Sequence, residues 1–97
     1  MTVAWSLRAK LDLGDIAGWI AADNPAAARR QVRKILDRAH QLGHFPQSGR
    51  AVIEYDDPLI REVIEGNYRV VYRVGTEQVQ VVAVLEGHRL PVPPERL

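Results

Sequence analysis

Arginines on the predicted β-strands are the side chains best suited to chemistry in this sequence. Arg69 and Arg73 alternate with apolar and aromatic residues in segment 68–74, a period of two that is typical of a β-strand. Arginine is rare inside a sheet unless it is ion-paired or borders a groove. Arg61 and Arg89 could converge with Arg69 on one concave patch, which would stabilise charge on a phosphodiester or bind a partner's carboxylates. The alternative is internal ion pairing, for which the candidate partners are Glu62, Glu65 and Glu86.

His88 is the histidine placed best to act as a general acid or base. It follows the last predicted strand, directly before Arg89, and imidazole titrates near neutral pH. The alternative is an ordinary surface residue, since no catalytic partner for it can be recognised. The chain has no cysteine and three histidines, so we expect no disulfide, no thiolate nucleophile, no metal site and no cofactor.

A second group of cations lies on a predicted helix, mostly away from its apolar stripe. The group consists of Arg29, Arg30, Arg33, Lys34 and Arg38, opposed by Asp37. Such a face could bind phosphate, an acidic partner segment or nucleic acid. The alternative is a solvated helix surface, because no aromatic side chains are interleaved for base stacking.

The N-terminal half of the chain predicts a short strand followed by two helices. Segment 2–5 is the strand, and the helical period begins at Ser6, which can cap the first turn. Asn24 followed by Pro25 ends the first helix and begins the second, which stops near Gly43. Two helices joined by so few residues must run antiparallel as an αα-hairpin.

The second half predicts four strands. They cover residues 51–55, 59–65, 68–74 and 79–86. Gly66-Asn67 favours a tight turn with positive φ between the second and third of them, and the last is apolar on both faces, which is typical of an interior strand. The expected fold is α+β, in the order β-α-α-β-β-β-β, with the helical hairpin packed on one face of a mainly antiparallel sheet.

Length and composition predict one domain over residues 1–97, with residues 90–97 as an extended, proline-rich tail. The longest apolar run, residues 81–85, is far too short for a membrane helix. The N-terminus does not have the pattern of a secretion signal. We therefore expect a cytoplasmic protein with no membrane partner, whose net charge of +1 does not by itself indicate a ligand.

Several short motifs together resemble the RelE/ParE superfamily of type II toxin–antitoxin toxins. The motifs occur in the family's order over about residues 3–90, and the complete set is more specific to the family than any single motif. The matching segments are Trp5-Ser6, Ala9, Asp12-Leu13, Ile16, Asp23-Asn24-Pro25, Ala27-Ala28, Leu42, Phe45-Pro46, Gly49-Arg50, Arg61-Glu62-Val63, Tyr68–Val74 and Val84–Arg89. The resemblance implies the same fold that the hydrophobic pattern predicts.

The superfamily implies two different activities. RelE-like members are ribosome-dependent mRNA endoribonucleases, and that activity would use Arg61, Arg69, His88 and Arg89 here. The strand before the Tyr-Arg motif, however, carries glutamates where that branch has cations, and a carboxylate beside a scissile phosphate opposes cleavage. The chain therefore looks more like ParE, whose members poison DNA gyrase without hydrolysing anything. A third possibility is an antitoxin-binding scaffold without toxicity.

All three activities imply a cognate antitoxin and a toxin–antitoxin hetero-oligomer. We expect an extended or helical antitoxin segment to cover the hairpin and sheet and to pair its acidic side chains with arginines. The candidate antitoxin-binding residues are Arg61, Arg69, Arg73, Trp19, Arg30 and Arg33.

Overall fold

The computed structural model describes residues 1–87, in which two helices pack on one face of a five-stranded sheet. The elements are β1 (Thr2–Trp5), α1 (Leu7–Ala21), α2 (Pro25–Gln41), β2 (Arg50–Ala51), β3 (Ile60–Glu65), β4 (Tyr68–Val74) and β5 (Gln78–Glu86). The strand order is β1-β5-β4-β3-β2; β1 is parallel to β5 and the other pairs are antiparallel. The predicted fold class and element order are confirmed. His88, Arg89 and the predicted tail lie outside the described residues.

The helix starts are set by local capping, as predicted. The Ala9 N–H donates to Ser6 Oγ at 3.1 Å, and the Ala27 N–H donates to Asn24 Oδ1 at 3.1 Å. Pro25 occupies the first turn of α2, where its missing N–H costs no hydrogen bond. Each cap satisfies a backbone donor that the helix itself cannot satisfy. Neither helix is long and apolar enough to cross a membrane, nor is any other helix within residues 1–87.

The turn between β3 and β4 fixes the register of the sheet. Glu65 pairs with Tyr68 across two residues, and Gly66 has φ +60° while Asn67 does not have a positive φ. A glycine at the first central position is typical of a type II′ hairpin turn. The predicted tight turn is confirmed, and β5 is an interior strand between β1 and β4.

The predicted strand over residues 51–55 is wrong. β2 contains only Arg50 and Ala51, after which the chain turns and the Tyr55 N–H donates to Val52 O at 3.1 Å. Val52 and Tyr55 are both buried. Their apolar character reflects packing of this turn onto the sheet instead of pairing within it.

The two faces of the sheet carry separate apolar clusters. On the helix-facing side, Ile35 and Leu42 of α2 pack with Val70 and Tyr72 of β4. On the opposite side, which we call the outer face, the cluster consists of Val52, Tyr55, Ile60, Val71, Val82, Ala83 and Leu85. The predicted alternation of β4 is therefore confirmed.

A bulge in β5 positions α1 on the sheet. The pairing with β4 skips Val82, so Val82 and Ala83 both lie on the outer face. Ser6 Oγ donates to Val82 O at 3.2 Å, and Asp12 Oδ2 accepts the Val84 N–H at 3.0 Å. The pairing of β1 with β5 ends at Val81. Beyond it, Ser6 and Asp12 provide hydrogen-bond partners for the carbonyl of Val82 and the N–H of Val84.

Candidate functional site

Arg69 lies buried on the outer face between two carboxylates. It is 6% exposed. Its Nε donates to Glu62 Oε2 at 2.5 Å, and its two Nη atoms donate to the two Oε atoms of Glu54 at 3.0 and 3.1 Å. The second contact is the two-pronged geometry in which guanidinium binds carboxylate most strongly. The cation that the sequence places in a possible phosphate-binding patch is already bound by its own chain.

Burial and charge act in opposite directions on this cluster. Burial by itself would lower the pKa of Arg69, but the hydrogen bonds with Glu54 and Glu62 outweigh it and leave that pKa raised. The hydrogen bond from Arg69 holds the pKa of Glu54 below its ordinary value. Arg50 adds a second cation, with its Nε 3.2 Å from Glu62 Oε1. Two cations and two carboxylates thus cancel, and the cluster has no net charge.

Residues 52–59, which we call the strap, cover the outer face. Glu54 binds Arg69 at one end, and Asp57 Oδ2 accepts a hydrogen bond from Arg73 Nη1 at 3.0 Å at the other. Tyr55 lies between these ion pairs and belongs to the buried outer cluster. The pKa of Asp57 lies below its ordinary value, mainly because its carboxylate accepts a hydrogen bond from the Leu59 N–H and also because it binds Arg73. Two ion pairs and an apolar contact therefore attach the strap to β4 and the strands beside it.

Arg61 does not join Arg69. Arg61 pairs in register with Tyr72, whose ring lies in the helix-facing core, while Arg69 pairs with Ile64 on the outer side. Arg61 Nη1 instead donates to Gly49 O at 2.8 Å. The expected convergence of these two arginines is therefore wrong. The two-residue turn would have revealed this, because the register it imposes places Arg61 and Arg69 on opposite faces.

The glutamates also separate. Glu62 is 2% exposed and binds Arg69, as the ion-pairing alternative predicts. Glu65 pairs with Tyr68 and so lies on the helix-facing side of the sheet, away from Arg69. The second acidic partner of Arg69 is Glu54, which the sequence pattern does not indicate because residues 51–55 have the apolar character of a strand.

Gly49 is held tightly where the chain enters β2. Its N–H donates to Tyr72 Oη at 2.9 Å, and that hydroxyl donates to Pro46 O at 2.8 Å. A Cβ at Gly49 would lie 2.5 Å from Tyr72 Oη and 2.6 Å from Glu62 O. The Phe-Pro and Gly-Arg motifs of the sequence thus meet at a structural junction.

A groove runs between α1 and α2 and reaches Trp5 of β1. One part of about 540 Å³ and a second of about 400 Å³ share Ala17, Val32 and Leu36, so we treat them as one interhelical groove. The remaining lining residues are Trp5, Lys10, Leu13, Gly14, Gly18, Ala21, Pro25, Ala28, Arg29 and Arg33. The groove is apolar along its length and has cations at its rim.

Comparisons with known proteins agree with this architecture. The sequence pattern of the family described as ParE toxin of type II toxin–antitoxin system, parDE, matches residues 3–91. The chain belongs to this toxin family. Two relatives are similar to the toxin over nearly their whole length. Toxin RelE2 of Caulobacter vibrioides is 30% identical over 89 residues, which are 91% of this chain and 97% of the relative.

The other relative is Y4kP of Sinorhizobium fredii, which carries a provisional toxin name. It is 32% identical over 88 residues, covering 90% of this chain and 88% of the relative. A solved structure described as the chromosomal ParDE TA system from P. aeruginosa has the same fold, with a TM-score of 0.70 and 21% identity over 87% of this chain and 92% of that one.

The toxin's predicted antitoxin-binding residues lie in different places. Arg33 lines the interhelical groove, while Arg30 and Trp19 are exposed but do not line it. Arg73 is half-exposed and bound to Asp57. The other two candidates are the bonded Arg61 and the buried Arg69. Within residues 1–87, no three histidine or acidic side chains cluster as metal ligands would.

Proposed function

We propose that this toxin is a ParE-type inhibitor of DNA gyrase that catalyses no reaction itself and is neutralised by a cognate antitoxin. The observation that carries the proposal is the burial of Arg69 between Glu54 and Glu62 beneath the strap. A ribonuclease of the RelE type would use this arginine to stabilise charge on the scissile phosphate. A guanidinium that already holds two carboxylates and is 6% exposed is poorly placed for that role.

The position of Arg61 supports the same choice. Its contact with Gly49 O is on the other side of the sheet from Arg69, so the two cations cannot act on one phosphate. Electrostatic catalysis depends on donors that converge where charge develops. The part of the outer face around Arg69 is instead covered by the strap, and its arginines and carboxylates are paired with one another.

A gyrase assay tests this function directly. Purified toxin is incubated with gyrase, ATP and relaxed plasmid, and both supercoiling and trapped double-strand breaks are measured. We expect supercoiling to fall and broken DNA to accumulate, with toxin lacking gyrase as the control for contaminating nuclease. Folded toxin that causes neither effect at a large molar excess over gyrase would refute the proposal.

The ribonuclease alternative is separated by mapping transcript ends after a pulse of toxin expression. We expect no new cleavage sites in translated mRNA. Codon-dependent cuts that disappear in Arg61→Gln, a variant of a partly exposed residue outside the outer cluster, would favour the ribonuclease over the gyrase inhibitor. Strong expression without any growth defect or gyrase effect would favour a scaffold that only binds antitoxin.

We further propose that the antitoxin occupies the interhelical groove with an amphipathic helix. The P. aeruginosa structure is described as a ParDE system, and apolar helix-lined grooves are a common docking site for such helices. From Lys10 to Ala21 the groove extends about 17 Å, which is about three helical turns. Lys10, Arg29 and Arg33 at its rim favour acidic side chains flanking the apolar stripe of the partner.

Filling the groove tests its role. A Cβ at Gly18 has no atom within 4 Å, and Gly18 lines the groove, so we expect Gly18→Leu to extend its side chain into the groove. We expect this variant to fold and to bind the antitoxin at least tenfold more weakly. Gln41→Leu adds an apolar side chain outside the groove and is the control. Equal affinities of the two variants would mean that the antitoxin binds elsewhere.

A further inference from the structure

The exposed side of α2 carries a dense group of cations that the fold does not use. Arg29, Arg30, Arg33 and Lys34, which we call the α2 patch, are all exposed, and none has an ion pair within residues 1–87. By contrast, the carboxylates of the strap and β3 bind the arginines of the sheet. The patch therefore has no ion-pair partner within residues 1–87, although acidic residues outnumber basic ones in the rest of the chain, twelve to nine.

This arrangement opposes the stability of the helix itself. Arg29 and Arg33, and likewise Arg30 and Lys34, are like charges at i,i+4, a spacing at which they repel. The patch also lies in the N-terminal half of α2, whose first turn has no acidic residue, so it adds to the positive end of the helix dipole. Asp37 is the single acidic residue of α2 and forms no ion pair within residues 1–87. A local arrangement that weakens its own element without an internal ion pair indicates an external ligand.

The patch divides into two rows. Arg29 and Arg33 line the interhelical groove, whereas Arg30 and Lys34 do not. The next residue at the same four-residue spacing along the second row is Arg38, so from Arg30 to Arg38 that row contains no apolar side chain. Protein–protein interfaces require an apolar centre, but binding to a phosphate backbone does not. The outer row therefore fits a polyanion better than it fits a second protein.

We propose that Arg30 and Lys34, supported by Arg29 and Arg33, bind the phosphodiester backbone of duplex DNA without sequence preference. Positions four apart on a helix are separated by about 6 Å along its axis, so the two rows present four charges over a short stretch of one strand. The α2 patch contains no aromatic side chain for base stacking, which favours an intact duplex over a single strand. This binding does not depend on gyrase inhibition, because it is a property of the free toxin.

Salt-dependent binding to a fluorescent 20-bp duplex tests the inference, with fluorescence anisotropy measured from 50 to 200 mM KCl. Four phosphate contacts predict a slope of log K against log [salt] of about −3.6, equivalent to an affinity loss of about 150-fold over this range. The double variant R30Q/K34Q should reduce the slope to about −1.8, whereas R30K should leave it unchanged. The control R8Q/Q47E lowers the net charge by the same amount at two exposed positions outside α2 and the interhelical groove, and it should retain most of the slope.

Folding and ligand class are checked in the same experiment. Because the outer row makes no internal ion pair, R30Q/K34Q should unfold at the same or a higher temperature than the parent toxin. Equal slopes for R30Q/K34Q and R8Q/Q47E would overturn the proposal, because binding would then depend only on net charge. Tighter binding to duplex RNA of the same sequence, or to polyglutamate, would also overturn it and would identify a different class of ligand. Failure of the gyrase assay would leave this result unaffected.

Discussion

Replacing Arg69 by methionine removes the cation that joins Glu62 to Glu54, and we expect a loss of about 3–5 kcal/mol in the free energy of unfolding. The reason is the unequal exposure of the two carboxylates. The Glu62 side chain is 2% exposed and that of Glu54 is 35% exposed. Glu54 can therefore be hydrated after the change, whereas Glu62 keeps only Arg50, whose side chain is 65% exposed. A buried carboxylate with so little compensation strongly destabilises the folded state.

Urea unfolding at pH 7, followed by circular dichroism, measures this loss. Glu54→Gln leaves Arg69 bound to Glu62 and should cost about 1 kcal/mol or less. The double variant E62L/R69M should be more stable than R69M, because no charge remains buried. The double variant also keeps the test decisive if R69M does not fold. A loss below about 1 kcal/mol for R69M, or a double variant as unstable as the sum of its single variants, would refute the argument from buried charge.

The remaining predictions concern pH and backbone packing. The pKa of Glu54 lies below its ordinary value of 4.5 because of the hydrogen bond from Arg69. The pKa of Asp57 lies below its ordinary value of 3.8, mainly because of the hydrogen bond from the Leu59 N–H. Their stabilisation is therefore complete above about pH 4.5 and is lost as the pH falls through the lowered pKa values; unfolding curves from pH 7 to 3 should show this, and E54Q/D57N should show less. Gly49→Ala places a Cβ 2.5 Å from a hydroxyl and 2.6 Å from a backbone carbonyl oxygen, which should cost about 1–3 kcal/mol. Gly14→Ala, with no atom within 4 Å of the new Cβ, should stabilise the helix by about 0.5–1 kcal/mol. Thermal unfolding should therefore show a lower melting temperature for Gly49→Ala and a higher one for Gly14→Ala.

The strap and the α2 patch lie on opposite sides of the sheet. Burial of Arg69 under the strap is the feature that argues against a ribonuclease site, and the strap lies on the outer face. The α2 patch lies on the helical hairpin, which packs on the other side of the sheet. Variants of α2 should therefore change DNA binding without disturbing the strap, and the gyrase and DNA-binding proposals can fail separately.

The helices and the hairpin register could be predicted because they depend on neighbours in the chain. Ser6 and Asn24 cap their helices through residues three positions ahead. Gly66 supplies the positive φ that a two-residue turn requires. The alternation of Tyr68–Val74 then assigns each side chain to a face of the sheet. Each of these features involves a few residues, so the sequence pattern contains it in full.

The strap could not be predicted in the same way. Val52 and Tyr55 have the apolar character of a strand, but they are buried by folding over the outer face. The short run of residues 51–55 is compatible with a strand or with a packed turn. Only the presence of an apolar cluster beneath it decides between them.

By itself, the sequence determined the element order, the helix caps, the turn at Gly66 and the excess of cations on α2, because local propensity and periodicity encode them. Only the tertiary structure decided which acids neutralise which arginines. Glu54 reaches Arg69 from fifteen residues away. Ion pairs between distant residues depend on which side chains the finished fold brings within a few ångströms, and no pattern along the chain records that distance.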